Sequence, residues 1–210
     1  MTTDLTIDRL LLAGVAAALL FFVIPTIAIF LRPGFNIERH AISMLSLGEG
    51  GWVMKAVFMV SGLLTFLCAL GLYRVLAGTW PGFTAAILVG LFAVGLVLAG
   101  LFDAPAGLGF PPGTPQDQEP VMTPGAVVHS IAFMIAFGGL IAACFAFAMH
   151  FFLAQQWLLG SISATAGIAL PALIALGVSL TVAPGIAFYW ASMLGWAWLA
   201  AIVLTLPQTA

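Results

Sequence analysis

The run LLLAGVAAALLFFVIPTIAIFL (residues 10–31) decides the fold of this chain, because it carries no charged side chain from end to end. A helix crosses the hydrocarbon core of a bilayer with about 20 predominantly apolar residues. The run therefore predicts a membrane-spanning helix.

The rest of the chain repeats this pattern. Over 210 residues, 63% are hydrophobic and only 6% are charged, and the mean hydropathy is +1.23. A globular domain is about half apolar and about a quarter charged, so this composition indicates a chain embedded in lipid. Five further apolar runs follow the first: Trp52–Tyr73, Phe83–Phe102, Val127–Phe152, Leu158–Val182 and Ile186–Leu206.

These runs are long and show no alternation of apolar and polar residues, which favours helices over a transmembrane β-barrel. We therefore expect an all-α integral membrane protein, with one six-helix transmembrane domain over residues 1–210. The net charge of −2 provides no basic surface, which argues against a nucleic-acid partner.

The orientation of the bundle is less well determined. Arg9 and Arg74 lie on the side of the termini, and Arg32, Arg39 and Lys55 lie on the other, so the positive-inside rule does not decide it. Because the long polar loops suit the outer side, we expect both termini in the cytoplasm.

Two spans begin alike, which suggests an internal repeat. FMVSGLLTFLC (residues 58–68) in the second span resembles FMIAFGGLIAAC (residues 133–144) in the fourth. One interpretation is a duplicated hairpin, with spans two and three matching spans four and five. The other is chance, because membrane spans draw on a restricted set of residues.

The segment between the first two spans is amphipathic when it is wound as a helix over residues 36–48. Its polar side chains share one face: Asn36, Arg39, His40, Ser43 and Ser46. The opposite face is apolar: Ile37, Ala41, Met44 and Leu45. This pattern predicts a short helix lying in the membrane interface, where charged side chains such as Glu38 and Glu49 cost little.

Four polar residues are expected at one membrane face and are the candidates for chemistry: His40, Ser43, Asp103 and His129. His40, Asp103 and His129 could bind zinc, or the four could form an acid/base set in which Ser43 or a metal-bound water attacks a substrate. The alternative is that they are interface residues, with Asp103 paired to Arg39 or Lys55.

Several of these residues also carry a resemblance to a known family. RPGF (residues 32–35), HAISML (residues 40–45), GLL (residues 62–64), Asp103 and His129 are similar to a bacterial and archaeal membrane family, domain of unknown function 998. The resemblance implies six helices and a prokaryotic inner membrane, and it implies no reaction. A fainter resemblance is to zinc-dependent membrane hydrolases of the alkaline-ceramidase and adiponectin-receptor type. Those have a seventh span and a paired-histidine motif that this chain lacks.

Three functions follow as expectations. We favour an accessory, scaffolding or lipid-binding subunit of a larger membrane complex, because the glycine- and alanine-rich spans suit close helix packing. An enzyme is less favoured; it would be a hydrolase of a lipid-like substrate at the outer face. A small-molecule transporter is a third alternative, although the middles of the spans lack the charged residues of ion-coupled carriers.

Overall fold

The computed structural model describes residues 2–179 and 181–206, and these form six long helices. All six are long and apolar enough to cross a membrane. The helices are α1 (Thr2–Leu31), α2 (Trp52–Leu76), α3 (Trp80–Leu101), α4 (Pro124–Leu153), α5 (Trp157–Val178) and α6 (Pro184–Thr205). The predicted all-α, six-helix membrane bundle is confirmed.

The six helices form a ring in chain order. Each helix packs mainly against its neighbours in the sequence, and α6 closes the ring against α1. We call the end of the ring that carries residues 32–51 and 102–123 the loop face, and the opposite end the terminal face. A ring of six helices has a wider centre than a four-helix bundle, so large side chains or an empty space must occupy it.

Close contact between neighbouring helices depends on small residues. Gly95 of α3 lies against the backbone of α4, where a Cβ atom would sit 2.5 Å from the amide nitrogen of Ala136 and 2.7 Å from the carbonyl oxygen of Ala132. Small residues at such contacts let two helix backbones approach closely in a membrane.

Two helices begin about one turn earlier than the apolar runs predict, and both are capped by threonine. The Thr79 hydroxyl accepts a hydrogen bond from the Gly82 amide at 3.2 Å, and the Thr123 hydroxyl accepts one from the Ala126 amide at 3.1 Å. A proline occupies one of the first two positions of each helix, where its missing N–H costs nothing. The fifth helix ends at Val178, before the predicted Val182.

The half of the ring nearer the terminal face is filled by large side chains. Phe147 and Phe151 of α4 and Trp198 and Leu199 of α6 are all buried. The Trp198 indole N–H donates a hydrogen bond to the Ser163 hydroxyl at 3.2 Å, which satisfies its polar atom inside the bundle.

The predicted interfacial helix is not found. Residues 36–40 form turns, and only Ile42–Ser46 is helical, as a short 3-10 helix in which Ser46 is buried together with Ile42, Met44 and Leu45. The reason is that side chains satisfy the backbone here: the Arg32 guanidinium donates to the carbonyl oxygens of Leu45 at 3.2 Å and Leu47 at 2.6 Å. The duplication of two hairpins stays a prediction.

Candidate functional site

The loop face is closed by two segments that are held together by side-chain hydrogen bonds. Arg39 donates two hydrogen bonds to Gln116, one to the side-chain oxygen at 2.8 Å and one to the backbone carbonyl at 2.7 Å. Arg32 lies 5.7 Å from the centre of the Phe110 ring, so it contacts both segments as well. The segments 32–51 and 102–123 therefore act as one cover over the ring.

His40 is a central contact within this cover. Its side chain is only 2% exposed. Its Nδ1 accepts a hydrogen bond from the Asn36 amide at 3.0 Å, and its Nε2 lies 2.9 Å from the carbonyl oxygen of Leu108. Since a carbonyl only accepts, Nε2 carries the proton and donates it. Both ring nitrogens are therefore occupied, which leaves neither one available to a metal ion.

The other polar residues of the predicted interfacial helix also serve the cover. The Asn36 side-chain oxygen accepts a hydrogen bond from the Glu38 amide at 2.8 Å, and the buried Ser46 hydroxyl donates to the carbonyl oxygen of Ser43 at 2.7 Å. These contacts are local and structural, whereas Arg39 and Ser43 also line the cavity described below.

Asp103 forms an ion pair with Lys55 at 2.6 Å, one of the two pairings that the sequence suggested as an alternative to catalysis. The pair is substantially exposed, with 36% of the Lys55 side chain and 56% of the Asp103 side chain accessible. Within the described chain, no three histidine, cysteine, aspartate or glutamate side chains converge on one point that could hold a metal ion. The positions of His40, Asp103 and His129 do not fit a zinc ion.

His129 of α4 has a different environment and is only 4% exposed. Its Nδ1 lies 3.1 Å from the carbonyl oxygen of Ala99 and 2.9 Å from that of Phe102. The last carbonyls of a helix have no partner within the helix. His129 satisfies two such groups at the end of α3, and the rest of its ring lines a cavity.

This cavity is the unfilled half of the ring, on the side of the loop face. Its volume is about 690 Å³, which is in the range of small-molecule binding sites. Every one of the six helices contributes to its wall. Its deepest residues are Phe21 of α1, Phe92 of α3, Leu140 of α4 and Trp196 of α6.

An aromatic cluster forms the floor of the cavity. The Trp196 ring centre lies 5.2 Å from that of Phe21 and 5.0 Å from that of Phe92, and Phe21 lies 5.5 Å from Phe58. These side chains are buried and separate the cavity from the filled half of the ring. The cavity therefore ends inside the bundle.

The polar groups of the cavity are gathered at its loop-face end, where they belong to the cover itself or to the first turns of α4. They are Arg39, Ser43, Glu119, His129 and Ser130, whereas the walls below them are almost wholly apolar, with Ser192 as the polar exception. The site thus has one polar end and one apolar end.

The cavity also has a side opening between α4 and the end of α5. Met134 and Val178 both line it, yet 62% and 69% of these residues are exposed on the outside of the bundle. In the terminal half, α5 packs closely on α4, where Gly167 lies against the Phe145 ring. Pro171 follows within α5, and Gly177 lies against Phe188 of α6.

Of the four residues proposed from the sequence, the structure brings only Ser43 and His129 to one cavity. No hydrogen bond joins their side chains among the described residues, and the Ser43 hydroxyl makes none with any of them. Sequence reasoning missed the floor residues Phe21, Phe92 and Trp196. Trp196 lies in the middle of its span and therefore cannot be an interfacial tryptophan. That position is the sequence signal that could have identified it as a residue of the bundle interior.

A comparison with known proteins places the chain in a family. A family model described as protein of unknown function (DUF998) matches residues 15–205. The chain belongs to the DUF998 family. No curated protein and no solved structure matches it. The family resemblance that the sequence motifs suggested is confirmed, and this DUF998 protein is a multi-pass membrane protein.

Proposed function

We propose that this DUF998 protein binds one amphipathic lipid, with a single acyl or prenyl chain in the cavity and its polar group beneath the cover. The observation that supports this most directly is the shape of the site. A cavity that ends inside the ring and has its polar groups, apart from Ser192, at the loop face matches a molecule with one polar end.

The depth of the cavity matches the length of an acyl chain that spans one leaflet of the bilayer. From His129 to Leu140, α4 rises about 16 Å at about 1.5 Å per residue. The hydrocarbon core of a bilayer is about 30 Å thick, so one leaflet contributes about half of that. A chain that spans its leaflet would reach from the polar end to Trp196 on the floor.

The apolar wall favours a chain over water, and the gain depends on where the chain comes from. Each methylene that moves out of water into such a wall gains about 0.8 kcal/mol. A chain that arrives from the bilayer gains less, because lipid is already apolar. The polar end and the fit of the wall must then decide which lipid binds.

The side opening offers a route of entry that avoids water. Met134 and Val178 lie at this opening and are exposed where lipid would surround the bundle. A chain could pass between α4 and α5 while its polar group stays at the level of the membrane surface. The cover would then need no movement during entry.

The polar end carries charges that a lipid head could use. Arg39 donates to Gln116, a neutral partner, and no carboxylate of the described chain lies within ion-pair distance of its guanidinium. Glu119 lines the same end of the cavity. Both charges remain available to a bound molecule.

The experiment uses Trp196 as a reporter at the cavity floor. The full chain in a steroid-based detergent is titrated separately with a fatty acid, a fatty alcohol and a lysophospholipid, each brominated near the far end of its chain. Bromine quenches tryptophan fluorescence on contact. The signal that Trp196→Phe removes reports on the floor alone. We expect at least one probe to quench it saturably, at about one molecule per chain.

A matched pair of variants tests whether the cavity is responsible. Ser192 lies one turn from Trp196 on α6 and lines the cavity, whereas Ser161 is exposed on the outer surface of α5. Ser192→Leu should obstruct the cavity one turn above Trp196 and abolish the saturable quenching of that residue, and Ser161→Leu should leave it unchanged. Quenching that never saturates with any probe, or that survives Ser192→Leu, would overturn the proposal.

Binding has more support than hydrolysis, because Ser43 and His129 are not joined and Asp103 is paired to Lys55. Of the accessory, scaffolding and lipid-binding roles expected from the sequence, the cavity favours lipid binding. A role as a subunit of a larger complex, a prokaryotic inner membrane and cytoplasmic termini stay predictions from the sequence.

A further inference from the structure

The polar end of the cavity contains a buried imidazole with one unused nitrogen. The Nδ1 atom of His129 faces two carbonyl oxygens, those of Ala99 and Phe102, at 3.1 and 2.9 Å. Carbonyl oxygens only accept hydrogen bonds, so Nδ1 carries a proton and donates it to them. The neutral ring then presents a lone pair, and no proton, at Nε2.

This lone pair has no partner within the protein. Nε2 makes no hydrogen bond with any residue that the structure describes. This nitrogen is also not fully buried. Among the described residues, Ser61 Oγ is the one fully buried polar side-chain atom that lacks a hydrogen-bond partner, so Nε2 of His129, which also lacks one, must have some accessible surface. His129 lines the cavity, and its ring meets the edge of Phe58 at a centroid distance of 6.1 Å. The free nitrogen is therefore reachable from the cavity.

An acceptor in a largely apolar cavity selects the chemistry of its partner. A carboxylate, a phosphate diester or an ether offers only lone pairs, which repel the lone pair of Nε2. Arg39 and Glu119 are exposed and could pair with a charged head at the solvent side of the polar end, whereas at the buried His129 ring the charge of an ammonium group is costly to bury. A hydroxyl group donates a hydrogen bond and carries no charge, so it fits best.

We propose, building on the lipid-binding function above, that the cavity selects amphiphiles whose polar end is a hydroxyl group, and that His129 Nε2 accepts its hydrogen bond. The chemical class is a long-chain or prenyl alcohol, or a lipid that presents a free hydroxyl at the same depth. His129 is then the residue that determines specificity, while the same ring caps the end of α3.

One substitution separates the two roles of His129. In His129→Asn, the amide nitrogen can take the place of Nδ1 and donate to the carbonyl oxygens of Ala99 and Phe102. It places nothing at the position of Nε2. His129→Phe removes both roles and keeps the ring. We expect the Asn variant to remain folded, with thermal stability closer to wild type than that of the Phe variant.

The test is a competition among three probes with the same chain: lauryl alcohol, lauryl methyl ether and laurate. The full chain, in a steroid-based detergent without an alkyl tail, is mixed with equal amounts of all three. Native mass spectrometry then reads the bound fraction of each from its mass. The ether has the same tail and oxygen as the alcohol, and a methyl group replaces the proton that the alcohol donates.

We expect wild type to bind the alcohol about fivefold more tightly than the ether, which corresponds to about one net hydrogen bond. In His129→Asn, the alcohol and the ether should bind equally. This loss of discrimination, with the protein still folded, is a result that a purely structural role of His129 would not produce.

The outcomes separate this inference from the proposed function. If wild type binds none of the three probes and no brominated probe quenches Trp196 saturably, the lipid-binding function itself fails; saturable quenching without binding of the alcohol overturns only this inference. If wild type and His129→Asn bind the alcohol and the ether equally, a chain still occupies the cavity and the role of Nε2 is refuted. Preference for laurate or the ether over the alcohol in wild type would also overturn the inference, because Nε2 of His129 then does not select the hydroxyl group.

Discussion

His40 offers the sharpest test of how the cover is held, and the change to make is His40→Phe. Phenylalanine keeps a ring of similar size between Phe35 and Phe110, whose ring centres lie 5.4 and 5.3 Å from that of His40. The substitution removes both hydrogen bonds of the imidazole. It leaves the Asn36 amide and the Leu108 carbonyl without these partners.

The magnitude follows from the burial of those two groups. Leaving a buried donor or acceptor unsatisfied costs about 1–3 kcal/mol each. Asn36 is exposed and Leu108 is half-buried, so water can replace part of what is lost. We therefore expect the free energy of unfolding to fall by about 2 kcal/mol, at the low end of the summed range.

The effect should also be local. Leu108 has a φ angle of +57°, in the left-handed region, which costs about 1 kcal/mol or more for a residue with a side chain. The bond from His40 and the bond from the Leu108 amide to the carbonyl oxygen of Gln118 hold it there. Without His40, the backbone near Leu108 should relax and open more often.

Two measurements check this prediction in a mild detergent. Thermal unfolding reports the loss of stability, and hydrogen exchange with mass spectrometry reports opening of peptides from residues 104–118. His150→Phe is the control, because His150 lies at the terminal face, where its ring bonds to Thr79. Exchange in the loop that is as slow in His40→Phe as in wild type would refute the role assigned to His40.

Three further predictions test packing, backbone strain and surface charge. Gly95→Ala should destabilise the bundle by about 1–3 kcal/mol, because the added Cβ would meet the backbone of α4. Gly138→Ala is the control, since a Cβ there would meet nothing within 4 Å, and thermal unfolding of both variants compares them. Gln155→Gly should raise the unfolding temperature by relieving about 1 kcal/mol of strain at a φ angle of +60° in the exposed turn before α5, and a lower temperature would contradict this. Asp103→Asn should lower the free energy of unfolding by less than about 1 kcal/mol, and the difference should shrink at high salt, because the ion pair with Lys55 is exposed. A loss of lipid binding without a loss of stability would instead assign Asp103 to the site.

The interfacial helix shows where sequence reasoning was wrong. The amphipathic pattern over residues 36–48 is real, but helix periodicity assumes that the backbone bonds to itself. Here Arg32, which precedes the segment, satisfies two of its carbonyls, and His40 accepts from the Asn36 amide. A pattern that counts only side-chain hydrophobicity cannot register such bonds.

The candidate site was predicted in part. The sequence placed His129 and Ser43 at one membrane face, because an even number of spans separates them, and both residues line the same cavity. Their shared cavity could not be predicted, since it depends on α6 closing the ring against α1. His40 was expected beside His129, but its partner Leu108 lies 68 residues further along the chain.

The sequence by itself determined the six membrane spans, because transfer of an apolar run into lipid is a local property that sums over about 20 residues. It also determined the family, through short motifs between the spans, at their ends and within the second span. Only the tertiary structure decided which half of the ring is filled and which is empty. That outcome depends on which side chains from all six helices meet at each level, and no local run of sequence contains this information.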